Sequence, residues 1–489
     1  MKQLKELFSD TIIYGISSVF ARFISYLLVP FYTDVFNADE YGIVSLIYVA
    51  IAFLNVVFTY GMESTYFRYA KDRDKAKDIF KTMQISLFCT TLLLLGVVWV
   101  ANPVINPLIG LVEPFPLLTL MLGILAFDTM AAVPFAELRM GKRPVAFATL
   151  KTLNVLINIG LNLYLILGLG LGIEGVLISN LLASIVTASI VWFMTRKFFK
   201  GSWDATFLKK AIRFGLPFVP AGIGYVINEM LDRLFLKSMD ADRIISLYGA
   251  NYTGKDLVGI YSACYKLSVV MLLFVTVFKF AWQPFFMRKS DDEEAPEIFS
   301  ETFRYFNLGA ALIFIFFSLF MPTIVQIQIP FTDATIIGKN YWLGLGIVSP
   351  LLLAYWFQGW YINFSAGIFI GEKTKVLAFI TLIGSTITIV GNLLFVDRFG
   401  MLGSAYTTLA SYAVMALIIY FYSKKAFDVP YKLWQGFFAI AIAQFALALK
   451  PTMTGMFNSD FYASLFVFVL AVGVLGILTV KNFFLPSEA

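Results

Sequence analysis

Histidine is missing from the chain, and cysteine occurs only twice. The first absence removes the commonest general base and metal ligand, and no Ser/His or Cys/His constellation for nucleophilic catalysis can be assembled. Cys89 and Cys264 both lie inside apolar runs, so no disulfide is expected. Charge is scarce too. Only 14% of the 489 residues are Asp, Glu, Lys or Arg, against about 25% in soluble domains. The rest is strongly apolar, with 59% hydrophobic residues, 51 phenylalanines and a mean hydropathy of +0.81. Such a chain cannot hide its apolar surface in water, and the fold class it implies is an all-α polytopic membrane protein.

A span needs about 20 mostly apolar residues. Fourteen segments qualify: about 11–35, 41–66, 82–102, 115–136, 145–168, 173–195, 211–237, 257–281, 305–329, 341–364, 375–396, 402–423, 433–450 and 459–481. The opening "MKQLKELFSDT" is amphipathic and reads as an interfacial helix, not a cleaved signal peptide.

The net charge of +6 comes from short basic clusters between apolar runs, the pattern of cytoplasmic loops and not of a nucleic-acid surface. With the N-terminus in the cytoplasm, 26 of the 37 basic residues fall inside and six at the outer edge. Five stand within spans: Arg22, Lys151, Arg233, Lys266 and Lys279. An even number of spans returns the C-terminus to the cytoplasm.

A repeat is visible. "MGKRPVAFATLKTLNVLINIGLNLYL" (Met140–Leu165) aligns on "IGEKTKVLAFITLIGSTITIVGNLLF" (Ile370–Phe395), with Asn162 on Asn392. After a small gap "GIEGVLISN" (Gly172–Asn180) meets "GMLGSAYTT" (Gly400–Thr408), and "EYGIVSLIY" (Glu40–Tyr48) echoes "LVGIYSACY" (Leu257–Tyr265). An even number of spans separates the copies. The expected organisation is two parallel six-helix bundles, 1–200 and 201–428, followed by two additional helices in 429–489. Transporters place sites at the interface of such halves.

"ARFISYLLVPFYTDVFNADEYGIVSLI" (Ala21–Ile47) resembles the opening of bacterial polysaccharide flippases of the Wzx type. These belong to the multidrug/oligosaccharidyl-lipid/polysaccharide exporter superfamily. "NEMLDRLFL" (Asn228–Leu236) and "VGIYSACYKL" (Val258–Leu267) are similar to the second half. The resemblance implies two bundles in a V around a central cavity and a polyprenyl-diphosphate-linked oligosaccharide turned between leaflets. It also implies a bacterial inner membrane, a role in surface polysaccharides such as O-antigen or capsule, and association with other polysaccharide-assembly proteins. A monomer without cofactor is expected, and a coupling ion, proton or sodium, is compatible with it.

The intramembrane charges carry the candidate chemistry. Arg22, on a stripe with Ser18 and Tyr26, offers a planar fork to a diphosphate or pairs with Asp128 or Glu63. The seventh span holds Pro217, Pro220, Gly222 and Gly224 as a hinge, then Asn228, Glu229, Asp232 and Arg233. Glu229 and Arg233, four apart, suit each other, which leaves Asp232 as the carboxylate for cation coupling. Lys151, Asn154, Asn158 and Asn162 share one face of the fifth span; Lys151 lines a cavity or snorkels, and the asparagines bind cargo or join helices. Lys266 is the deeper of two lysines on the eighth span, with Lys279 nearer the interface. Asp128 is a counter-ion or proton site, and Trp356, Trp360 and Tyr361 stack on sugars or pack. A net positive cavity follows from these assignments.

"GANYTGKD" (Gly249–Asp256) mimics a phosphate loop but has Asp256 where the magnesium-binding hydroxyl is required. Two alternatives to a flippase stay open: a cation-coupled multidrug exporter, and a membrane polysaccharide polymerase or ligase. The short loops disfavour the second.

Overall fold

The computed structural model describes residues 26, 28–111, 114–141, 143–329, 334–373 and 375–480. Regular structure among them is helical, apart from an isolated bridge between Gln328 and Thr335. The chain divides into two compact units, Met1–Ser262 and Ala263–Ala489.

The first unit runs through α1 (Leu28–Val35), α2 (Ala38–Thr59), α3 (Met62–Tyr69), α4 (Ala76–Val100), α5 (Asn102–Ile109) and α6 (Pro114–Met140). It continues with α7 (Pro144–Asn162), α8 (Ile173–Thr195), α9 (Ala205–Gly215), α10 (Phe218–Met230), α11 (Asp232–Lys237) and α12 (Ala241–Tyr248). The first turns of α13 (Gly254–Lys289) complete it. The second unit has the rest of α13, then α14 (Ala295–Ile324), α15 (Val348–Ile370), α16 (Lys375–Ala426), α17 (Leu433–Phe457) and α18 (Asp460–Val480).

Local chemistry sets the helix starts. Asn37 and Glu40 form a reciprocal capping box at α2. Thr253 and Asp256 exchange hydrogen bonds ahead of α13, Thr253 N to Asp256 Oδ2 at 2.8 Å and Asp256 N to Thr253 Oγ1 at 3.3 Å. The phosphate-loop look-alike is therefore a helix cap.

Eleven of the described helices are long and apolar enough to cross a membrane. They cover twelve expected spans, because α16 joins two. At 1.5 Å per residue its 52 residues would reach about 78 Å, far beyond a hydrocarbon core of about 30 Å. Gly400, at φ 55° and ψ −133°, breaks it. The arms fold back on each other: Ser411 Oγ donates to the Gly384 carbonyl at 2.9 Å, and Ser404 Oγ to Asn392 Oδ1 at 2.7 Å. The expected span 211–237 is not one helix but α9 to α11. Most of 11–35 lies outside the described residues. The count of fourteen is therefore not reached among them.

The sequence repeat has structural counterparts. Asn162 and Asn392 are both buried, and each donates to the carbonyl four residues earlier at 2.8 Å. The first copy is two residues longer between Leu165 and Gly172, and a π-helical turn, Leu163–Gly168, sits there.

Candidate functional site: a polar seam in the first unit

Helices α6, α7 and α8 pack on one another, and their polar side chains meet at the seam. Ser184 Oγ donates to Asp128 Oδ1 at 2.8 Å, and Asn154 Nδ2 donates to Thr187 Oγ1 at 3.2 Å. Asn180 Nδ2 donates to the Tyr48 hydroxyl of α2 at 2.8 Å. Asn180, Ser184 and Thr187, four and three residues apart, form one face of α8. Sequence reasoning passes over this stripe, although its helical spacing in an apolar run is a legible signal.

Lys151 closes the group. Its Nζ stands 4.3 Å from the centroid of the Phe135 ring, and its charge and that of Asp128 act on each other. Both side chains are exposed, whereas Ser184 and Thr187 are buried. Hydrocarbon would penalise each charge by about 2.5–3.5 kcal/mol at mid-depth. A lysine and an aspartate at that depth therefore call for each other, water or a polar ligand. The remaining asparagines behave differently. Asn162 bonds the Asn158 carbonyl and side chain and accepts from the Tyr32 hydroxyl at 2.8 Å, so this end of the stripe joins helices.

The charges after α10 have a structural task as well. The helix breaks at Leu231. There the Arg233 amide donates to Asp232 Oδ1 at 2.9 Å, and the Arg233 guanidinium takes the Glu229 backbone carbonyl. Arg233 Nη1 also donates to Asp232 Oδ1 at 2.7 Å, and the Tyr261 hydroxyl of α13 donates to Asp232 Oδ2 at 2.5 Å. The Arg233 guanidinium carbon lies 5.3 Å from the Tyr261 ring centroid. Backbone groups freed by a break at membrane depth need such partners. This corrects the expectation for Asp232: it is not the carboxylate left unpaired but the counter-ion of Arg233.

The hinge also differs from expectation. One break falls at Leu216–Pro217, as Pro217 requires, and Pro220 sits harmlessly in the first turn of α10. Gly222 and Gly224 lie inside a continuous helix. A methyl on Gly222 would come within 2.7 Å of Val56 Cγ1, so close packing on α2 explains that glycine. Glu229 is buried and Lys266 half-buried on α13, while Arg22 lies outside the described residues. Lys279 is exposed.

Two further results bear on function. Glu137, just past an expected span end, is 4% exposed and accepts from Arg73 at 2.5 and 3.1 Å and from the Tyr66 hydroxyl at 2.5 Å. Trp356 and Trp360 are buried, and both indole N–H groups donate to Asn307 Oδ1, at 2.9 and 2.7 Å. They are packing residues, closed to sugars.

Apolar spans joined along a polar seam define a polytopic helical membrane protein. Residues 7–290 match the family described as polysaccharide biosynthesis protein, and the chain belongs to that family. No curated protein shows a significant match. Among solved structures, a lipid II flippase in an inward closed conformation shares 14% identity with a TM-score of 0.74, over 96% of this chain and 99% of that one. An inward-facing multidrug resistance transporter of the multidrug and toxin extrusion family shares 15% identity at TM-score 0.65, over 82% and 93%. A Vibrio cholerae transporter of that family shares 13% at 0.59, over 87% and 96%. The fold is the one shared by these flippase and transporter structures.

Proposed function

We propose that the chain is a flippase that turns a polyprenyl-diphosphate-linked oligosaccharide from the inner to the outer leaflet of a bacterial cytoplasmic membrane by alternating access. Family membership and the fold shared with a lipid II flippase support this reading. The observation that carries it is Lys151 standing beside Asp128 on the polar seam. In this reading Lys151 meets the diphosphate, Asn154 adds a donor, and Asp128 holds the ammonium between turnovers. Arg22 and Lys266 supply further cations, and Arg233, already matched to Asp232, orders the broken helix. The halves 1–200 and 201–428 rock about the cargo, with 429–489 as an added pair of helices. Both termini are cytoplasmic, the working form is a monomer, and a proton or sodium ion drives the cycle.

A second reading, a cation-coupled multidrug exporter, is favoured by one observation, the Asp128 carboxylate within the membrane-spanning α6. Complementation of a flippase-null strain separates the two. The flippase reading expects Lys151→Ala to lower surface polysaccharide at least tenfold at normal protein level. The exporter reading expects no complementation by the wild type and drug resistance that Asp128→Asn abolishes. Normal export by both variants would overturn the site assignment.

A further inference from the structure

We propose that the seam between α14 and the start of α17 binds the phosphate of a resident membrane phospholipid, with Arg304 as its ligand. Arg304 is 4% exposed, and its Nε is enclosed without a hydrogen-bond partner. Among the described residues no carboxylate stands within ion-pair distance of it and no aromatic ring lies under its guanidinium. Glu301, one turn earlier on the same helix, is near enough to act on its charge but does not bond it. The exposed Arg73 and the buried Arg233 each have a carboxylate, at 2.5 and 2.7 Å. A guanidinium enclosed without a counter-charge costs several kcal/mol, so an anion from outside the chain is the expected partner.

The surroundings say which anion. Ser300, Arg304 and Asn307, four and three residues apart, share one face of α14. Ser300 Oγ donates to the Pro430 carbonyl at 2.7 Å, and a methyl on Gly436 would stand 3.3 Å from Asn307 Oδ1. On α14 Arg304 lies between these two contacts, which on the other side bracket Tyr431 to Gln435, a stretch that contains Lys432 and no acid, with Asp428 just before Pro430. The site is about 13 Å along α14 from Ala295, beyond a polar loop that carries Arg288 and Lys289 together with Asp291, Asp292, Glu293 and Glu294. Trp434, Phe437 and Phe438, 51%, 51% and 41% exposed, stand on the first two turns of α17. Aromatic belts of this kind mark the headgroup level of a bilayer. The guanidinium fork matches a phosphate, and the phenylalanines present a surface for the acyl chains. A phospholipid there would pin the start of α17 to α14.

The test uses the full chain in detergent and reads lipid, not transport, so it stands or falls separately from the flippase reading. Native mass spectrometry after delipidation should find phosphatidylglycerol retained by the wild type. Adding phosphatidylglycerol back should raise its Tm, while diacylglycerol and inorganic phosphate should not. Arg304→Met should bind at least tenfold more weakly, and Arg304→Lys should fall between. If Arg304→Met does not fold, the Arg304→Lys affinity decides alone. Unchanged retention and Tm shift in the variants would overturn the proposal. So would a Tm rise from inorganic phosphate alone, or a wild-type adduct that is a lipid-linked sugar.

Discussion

Gly42 and Gly259 press against each other where α2 and α13 cross. A methyl on Gly42 would come within 2.0 Å of the Lys255 carbonyl oxygen, and one on Gly259 within 1.9 Å of the Ala38 carbonyl oxygen. Ala38 and Lys255 each lie one turn before the glycine of their own helix, so the contact is reciprocal. The sequence repeat makes the two glycines equivalent positions. A tight symmetric crossing of matched helices is what a duplicated bundle leaves behind.

Either glycine replaced by alanine forces the helix backbones apart. Gly42→Ala and Gly259→Ala should each cost about 1–3 kcal/mol, the usual penalty of overpacking. Gly96→Ala is the control, because nothing lies within 4 Å of its added methyl. It should be neutral or stabilising, since alanine favours a helix by about 1 kcal/mol over glycine. Thermal unfolding in detergent compares the three. Equal melting of all would mean that the crossing has slack.

The Asp232–Arg233 pair should behave as a unit. Removing one partner leaves a buried charge, at about 3–5 kcal/mol. Asp232→Asn and Arg233→Met are each expected to lose stability on that scale. The double variant should lose much less than the sum, and Tyr261→Phe about 1 kcal/mol. Additive losses in a double-mutant cycle would show that the two charges do not share one network.

Burial separates two ion pairs near the ends of α3 and α6. Glu137 is buried under Arg73 and Tyr66, whereas Glu63 and Arg139, 2.5 Å apart, leave 48% and 42% of their side chains exposed. Glu63→Gln should cost no more than about 1 kcal/mol, and salt should erase the difference. Glu137→Gln should cost several times more and be insensitive to salt.

Asn307 satisfies two indoles at once. Asn307→Leu strands both N–H groups, at about 1–3 kcal/mol each. Tryptophan emission should shift and the melting temperature fall. Cargo preference at the remaining activity should stay the same, because the indoles are packing groups. A changed cargo preference would return them to the binding surface.

Much of this molecule is legible in its sequence, because the bilayer permits few solutions. Long apolar runs become helices, and matched strings such as Glu40–Tyr48 and Leu257–Tyr265 place equivalent helices. What escapes is pairing across helices. Glu229 and Arg233 have the spacing of an ion pair, and the spacing does not reveal that the guanidinium also takes Asp232 and the Glu229 carbonyl. Ser184 and Thr187 carry a readable stripe, yet their partners Asp128 and Asn154 lie 56 and 33 residues away. Arg304 reads as one more basic residue at a loop edge until packing encloses it.

The flippase reading meets its most direct test in proteoliposomes loaded on one leaflet with a polyprenyl-diphosphate oligosaccharide. The rate at which the sugar becomes accessible to a membrane-impermeant glycosidase is measured. The wild type should accelerate exposure well above protein-free vesicles, and Lys151→Ala should slow it at least tenfold. Exposure no faster than in empty vesicles, together with export of a cationic dye by the same preparation, would contradict the account.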